Sequence, residues 1–298
     1  MVTIKKTKGE QCFDVINVIL MIMVSIITIY PMYYVLVCSF SDGSQLIGAR
    51  GAILMPQGFS ISSYKAVFSN PNIFTGYRTT LIIVGVGTVL SVLTTAMGAF
   101  LITRKNFAIK KLLAYMMVFT MYFGGGMIPT YLVVNNFLKM GDSISSLIIP
   151  TMINVYNLLI MKANFEAIPD SLEEAAKIDG ANDIRIFFQI IIPLSMSVIA
   201  VMVLFYGVAY WNSWFNAMMY MRSRSKYPLQ LILREVLLSN DTSGMGTTSS
   251  AAGDQYMIGE SIKYATIMVA TLPILCLYPF IQKYFVKGVM IGAVKGYV

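Results

Sequence analysis

Few residues of this chain could do chemistry, and the gaps narrow the choices quickly. Histidine is absent, which removes His-based acid–base catalysis, Ser-His-Asp triads and His-ligated metal sites. Cys12, Cys38 and Cys276 lie far apart and form no CxxC, so neither a zinc ribbon nor a disulfide framework is expected. No GxxxxGK[ST] occurs, and Gly124-Gly125-Gly126 lacks the following lysine and sits in an apolar run, where glycines serve kinks or close helix packing. Two groups remain. One is an acidic cluster, Asp170, Glu173, Glu174, Asp179 and Asp183. The other is polar and aromatic residues inside apolar stretches: Asn154, Asn157, Tyr210, Trp211, Asn212, Trp214 and Asn216.

The acidic cluster needs an element to present it. Pro169 and Asp170 suit a helix start, and Ser171 with Glu174 has capping-box spacing. Helical spacing puts Leu172, Ala175 and Ala176 on neighbouring faces, leaving small residues on a side that could dock. Gly180 permits a left-handed turn. Asn182 can cap a second helix running through Ile184–Ile192, and Pro193 bends or restarts it. The expected shape is a helix–turn–helix on the membrane surface, joined to the next span. A linker resting on lipid would carry a basic polar face and bulky apolar residues. This one is acidic, with alanine and glycine where bulk belongs, and anionic lipid repels it. A partner protein fits it better.

The polar residues need a membrane around them. Of 298 residues 57% are hydrophobic and 12% charged, with a mean hydropathy of +0.70, against about 25% charged in an ordinary soluble domain. A soluble enzyme and a disordered chain are both excluded. Runs near the 20 residues that cross a bilayer occur at 15–40, 80–102, 112–134, 143–165, 190–218 and 264–285. The expected architecture is an all-α integral membrane protein of six spans, forming one domain over 1–298 with no internal repeat. Lys5, Lys6 and Lys8 resemble a signal-peptide n-region, but the apolar run after them is too long and no small-residue cleavage site follows. It is read as a retained helix. Six spans place both termini on one side. Arg104-Lys105 and Lys110-Lys111, with the N-terminal lysines, put that side in the cytoplasm, N-in and C-in. The net charge of +8 then reflects cytoplasmic loops facing lipid rather than nucleic acid. Loop 167–190 is cytoplasmic, and loop 222–263 is external, with a Gly/Ser/Thr/Ala-rich tip at 239–253.

Glu174-Ala175-Ala176, three residues, Gly180, nine residues, then Ile190-Ile191-Ile192-Pro193 resembles the EAA loop of binding-protein-dependent ABC importer permeases, with Ile192 where leucine is usual. Pro56-Gln57-Gly58-Phe59-Ser60 followed by Tyr64 and Phe68, the Trp211-Asn212-Ser213-Trp214 run and the ending Gly292-Ala293-Val294-Lys295-Gly296 are similar to the carbohydrate branch, in particular its smaller, maltose-permease-G-like subunits. The resemblance implies a type I importer permease with a cytoplasmic coupling helix between spans 4 and 5. Glu174, Ala175, Ala176, Gly180 and Pro193 would then serve coupling to a dimer of cytoplasmic ATPase subunits. It implies no cofactor in this chain, with ATP and Mg bound by that ATPase. It also implies a second, homologous permease subunit completing a heterodimer, an extracytoplasmic solute-binding protein and a bacterial cytoplasmic membrane. Tail 286–298 and the tip of the external loop would approach the ATPase and the binding protein.

Polar groups at membrane depth mark solute pathways, and aromatic faces beside Asn amides suit a sugar. The competing use of Trp211 and Trp214 is an interfacial belt, and that of Asn154 and Asn157 is interhelical hydrogen bonding. An ABC permease for a non-sugar solute is the nearest alternative. A stand-alone secondary transporter calls for inverted halves or intramembrane charges, and an intramembrane enzyme for paired acids inside a span. The chain has neither feature.

Overall fold

The computed structural model describes residues 7–48, 51–104, 107–239, 261–277 and 279, and the regular elements among them are helical. In chain order these are α1 (Lys8–Ser39), α2 (Gly43–Gly48), α3 (Ser62–Ser69), α4 (Pro71–Thr103), α5 (Lys110–Tyr122), α6 (Met127–Leu132), α7 (Ser145–Ile148), α8 (Val155–Phe165), α9 (Asp170–Ile178), α10 (Asp183–Ile186), α11 (Ile192–Leu194), α12 (Met196–Trp211), α13 (Trp214–Tyr220), α14 (Leu229–Ser239) and α15 (Ser261–Leu277). Turns of π-helix at Val133–Phe137 and Phe187–Ile191 and of 3₁₀-helix at Ile149–Thr151 extend α6, α10 and α7. The chain divides into two compact units, residues 1–70 with 236–270 and residues 71–235 with 271–298.

In the first unit, α1 starts in a capping box. The Thr7 hydroxyl accepts the Glu10 N–H, and the Glu10 carboxylate accepts the Thr7 N–H at 2.7 Å. Its 32 residues rise about 48 Å at 1.5 Å per residue, ample for a hydrocarbon core of about 30 Å. Apolar side chains from Phe13 to Leu36 stand exposed around it, as lipid contact demands. Ser25 and Thr28 turn their hydroxyls back to the carbonyls of Met21 and Val24, which satisfies them without water. The loop after α1 folds over the helix end: Phe40 stacks on Phe59, and the Ser39 and Tyr64 hydroxyls meet at 2.7 Å. Ser63 donates to Ser261, and Tyr34 meets Tyr264 edge-on.

The second unit is built on α4. Its buried face is largely small or hydroxylated, including Gly87, Ser91, Thr95, Ala96 and Ala99, so neighbouring helices can approach closely. At Gly87 a Cβ would stand 2.8 Å from the Tyr210 ring. Ser91 meets the Tyr210 hydroxyl at 2.8 Å and Thr95 that of Tyr206 at 2.6 Å, which ties α12 to α4.

Among the described residues two helices, α1 and α4, are long and apolar enough to cross a bilayer alone. Three further apolar runs are bent pairs rather than straight spans: α5 with 127–137 at 118°, 145–151 with α8 at 51°, and 183–194 with α12 at 84°. Each bend has a local cause. Gly124–Gly126 breaks the first, with Gly126 at φ +86°. Asn154 leaves the helical region and caps α8 in the second. In the third, Pro193 withholds a backbone donor and Ser195 takes a non-helical conformation. The expected fifth span does not run unbroken to 218: α12 ends at Trp211, and α13 restarts at Trp214. The stretches expected to be external carry helices that hydropathy does not reveal. α4 begins at Pro71, nine residues before the apolar run, and α14 lies within 222–263. Residues 240–253 of the loop tip, the end of the sixth run and the tail 286–298 fall outside the described residues.

Candidate functional site

The acidic elbow is assembled from local chemistry. Pro169 occupies the position before α9, so the helix begins at Asp170. Ser171 therefore lies inside the first turn and the expected Ser171–Glu174 capping box does not form; no side chain caps this end. The proline's preset φ starts the helix two residues earlier than a Ser171 cap would. The far end closes as expected. Gly180 sits at φ +78°, its N–H bonds to the Lys177 carbonyl, and the Ala181 N–H reaches back to Ala176 at 2.9 Å. This is a Schellman closure, which favours glycine at the left-handed position. The Asn182 side chain then accepts the Arg185 N–H at 2.8 Å and opens the second limb.

The two faces of α9 differ. Ala176 and Ala181 pack on the core. Glu173 turns inward and pairs with Arg104, at the end of α4, and with Lys177 at 2.8 Å. Burial pushes the Glu173 carboxyl up, but Lys177 and Arg104 outweigh it and hold it below the usual carboxylate range. Leu172, Glu174, Ala175 and Ile178 face outward, Ile178 at 86% exposure. A polar cavity of about 320 Å³ separates the elbow from α4, lined by Arg104, Asp170, Glu173, Glu174, Lys177 and Asp183 among others. Arg104 was legible only as part of a basic loop flank. Its partner is 69 residues away, and no local signal joins them.

The second site is a cleft of about 430 Å³ between α8 and α12. It gathers five of the seven pathway candidates: Asn154, Asn157, Tyr210, Asn212 and Asn216 line it, with Tyr206 beside them. Among the described residues no charged one is in its lining. The Tyr206 hydroxyl accepts the Asn154 N–H at 3.0 Å, and the Tyr210 hydroxyl lies 3.4 Å from the Ile148 carbonyl. Both rings are thereby fixed. Asn154 spends its carbonyl oxygen on the Asn157 N–H at 3.1 Å, and Asn212 its amide N–H on Val208 at 2.9 Å. Asn157 is only 7% exposed, and its backbone N–H donates to the Asn154 side chain. Trp211 and Trp214 are not in the lining. Trp211 is buried against Tyr77, and Trp214 carries the Arg234 guanidinium 4.9 Å over its ring.

A third cluster was not anticipated. Asp142, at φ +55°, accepts the N–H groups of Arg222 and Ser223, the Ser223 hydroxyl at 2.6 Å and the Lys226 ammonium at 2.9 Å. The Ser223 hydroxyl and N–H, then Lys226 and Arg222, hold its carboxyl well below the usual range.

A helical chain with membrane-crossing apolar elements, an uncharged cleft between two of them and a charged elbow outside them belongs to the class of polytopic membrane transport subunits. More narrowly, the chain belongs to the family of binding-protein-dependent transport system inner membrane components, whose profile matches residues 5–217. It is 40% identical over 288 residues to the polygalacturonan/rhamnogalacturonan transport system permease protein YtcP of Bacillus subtilis, covering 96% of this chain and 99% of that one. It is 41% identical over 295 residues to Protein LplC of the same organism, covering 99% and 98%. Its fold matches a chain from the crystal structure of a bacterial ABC transporter that imports the acidic polysaccharide alginate, with a TM-score of 0.83, 27% identity and coverage of 95% of this chain and 100% of that one.

Proposed function

We propose that this chain is the transmembrane permease subunit of an ATP-driven importer that takes a sugar or oligosaccharide from an extracytoplasmic binding protein into the cytoplasm. The sugar assignment draws on the kinship with the polygalacturonan/rhamnogalacturonan permease YtcP and the alginate importer. The uncharged, amide-lined cleft with fixed aromatic rings is the stretch of pathway this subunit contributes. In this reading the bent pairs each cross once, both termini are cytoplasmic, and a second permease completes the pathway.

The observation that carries the coupling half of the reading is the outward face of α9. A helix locked at one end by Gly180 and held from within by Glu173 still presents Glu174, Ala175 and Ile178 to something outside the chain. An ATPase dimer on the cytoplasmic side is that partner, and it binds the ATP and Mg. Glu174 makes a charge-assisted contact to a basic group there. Ala175 permits close approach there and Ala176 close packing of α9 on the core, Gly180 keeps the elbow closed, and Pro193 marks the turn into α12. Rigid elements that switch between two arrangements are what an external motor can drive.

The test is Glu174→Lys in the assembled complex. The expected result is a permease that reaches the membrane but retains little ATPase through purification and imports no labelled oligogalacturonide. Normal ATPase retention together with normal uptake would refute docking through this face.

A further inference from the structure

Arg104 grips the elbow from another part of the chain. Its guanidinium pairs with Glu173 of α9, its Nε–H donates to the Phe100 carbonyl at 3.3 Å, and it lies 4.0 Å over the Phe100 ring. Both charged side chains are well shielded, at 17% and 18% exposure, so solvent screens the pair less than a surface bridge. Phe100 in turn packs on Phe187, with ring centroids 5.1 Å apart. The last turn of α4 thus holds the first limb of the elbow by charge and the second by ring contact. Among the described charged residues lining the intervening cavity, Arg104 alone lies off the elbow. Lys177 also neutralises Glu173, but from within α9, and its other bridge, to Asp183 at 3.9 Å, stays inside the elbow.

The covalent route from the elbow into the membrane is poorly suited to carrying force. It passes a π-helical stretch and then turns 84° at Ser195. α4, by contrast, is one unbroken helix of 33 residues, joined to α12 through Ser91–Tyr210 and Thr95–Tyr206. Tyr206 and Tyr210 line the cleft. We infer that Arg104 is a positioning residue for coupling: a pull on α9 enters the membrane through Arg104–Glu173 and α4, and reaches the cleft through the two tyrosines. This rests on α9 being the helix the ATPase grips. The coupling energy lives in a tether between elements rather than in the hinge that joins them.

The experiment uses the full complex with Cys12, Cys38 and Cys276 replaced by serine and Asn216→Cys as a reporter inside the cleft. Maleimide labelling is followed with and without a non-hydrolysable ATP analogue. In the parent complex nucleotide should change the labelling rate by about tenfold, an ordinary allosteric coupling. Arg104→Ala should keep the ATPase bound and nucleotide affinity intact, while the labelling change falls to about twofold or less. Arg104→Lys should keep part of the response, and Arg104→Glu with Glu173→Arg should restore most of it. A full response in Arg104→Ala overturns the proposal. So does a loss that Arg104→Lys and the charge swap both leave uncorrected, since that marks a packing role. If Arg104→Ala releases the ATPase, Arg104 supports docking and the tether is likewise overturned. Failure of the underlying reading looks different: Glu174→Lys would then retain the ATPase and respond to nucleotide like the parent.

Discussion

Replacing Asn157 with leucine should separate folding from transport. The residue is largely buried, but its side chain lines the cleft and is not among the enclosed polar groups left without a partner. Leucine keeps the branched heavy-atom skeleton of asparagine, so Asn157→Leu should leave the fold's stability within about 1 kcal/mol, about 2 °C in Tm for a chain of this size. Transport should fall. Two hydrogen bonds to sugar hydroxyls, each worth about 0.5–1.5 kcal/mol net, sum to about 1–3 kcal/mol. At 1.4 kcal/mol per decade this is a fall in kcat/KM of roughly five- to 150-fold. Labelled-oligosaccharide uptake into proteoliposomes reads the second effect, and thermal unfolding of the purified complex reads the first. A Tm several degrees lower with unchanged uptake would refute the reasoning, because the amide would then be serving the fold.

Asp142 carries a pH signature. Its folded pKa lies below the unfolded value of about 3.9, so its contribution is complete above about pH 4 and is lost as the pH falls through the folded value. Asp142→Asn should flatten the acid side of a Tm-against-pH curve, and an unchanged slope would count against the cluster as a staple between its two loops. Gly87→Val should destabilise the α4–α12 contact. Its Cβ would press the Tyr210 ring from 2.8 Å and pull that hydroxyl from Ser91. Overpacking of this kind costs about 1–3 kcal/mol, readable as a lower Tm; an unchanged Tm would mean the helices slide apart freely.

Those contacts show where a one-dimensional reading stops. Gly180, Asn182 and Pro193 were legible because each acts within a few residues: one tolerates a positive φ, one caps the N–H three residues on, and one withholds a donor. Ser171 misled within the same window. Two start signals lay side by side, and the proline's fixed φ prevailed. The pairs that give the site its shape span the fold instead. Arg104 and Glu173 are 69 residues apart, Lys226 and Asp142 84, and Ser91 and Tyr210 119. Composition declared each of these residues polar but not whom it would meet. Trp211 and Trp214 carry the same lesson, since Tyr77 and Arg234 claim them and the lining of the cleft is left to amides.

The spans were legible as apolarity and not as shape. Hydropathy continues unbroken through residues at which the helix turns by 118°, 51° and 84°, because a bend changes the direction of the backbone without changing what lipid it touches. A bend inside a bilayer frees backbone groups that must be satisfied by protein or enclosed water. Polar side chains therefore gather at breaks, and a break becomes the place where a solute can be met without exposing polar backbone to lipid. Asn154 shows both roles in one residue: it caps α8 at the 51° bend and lines the cleft. The asparagines that lower the apolarity of 143–165 are thus the price of its bend, and in the proposed topology the bend is what opens a polar site at membrane depth.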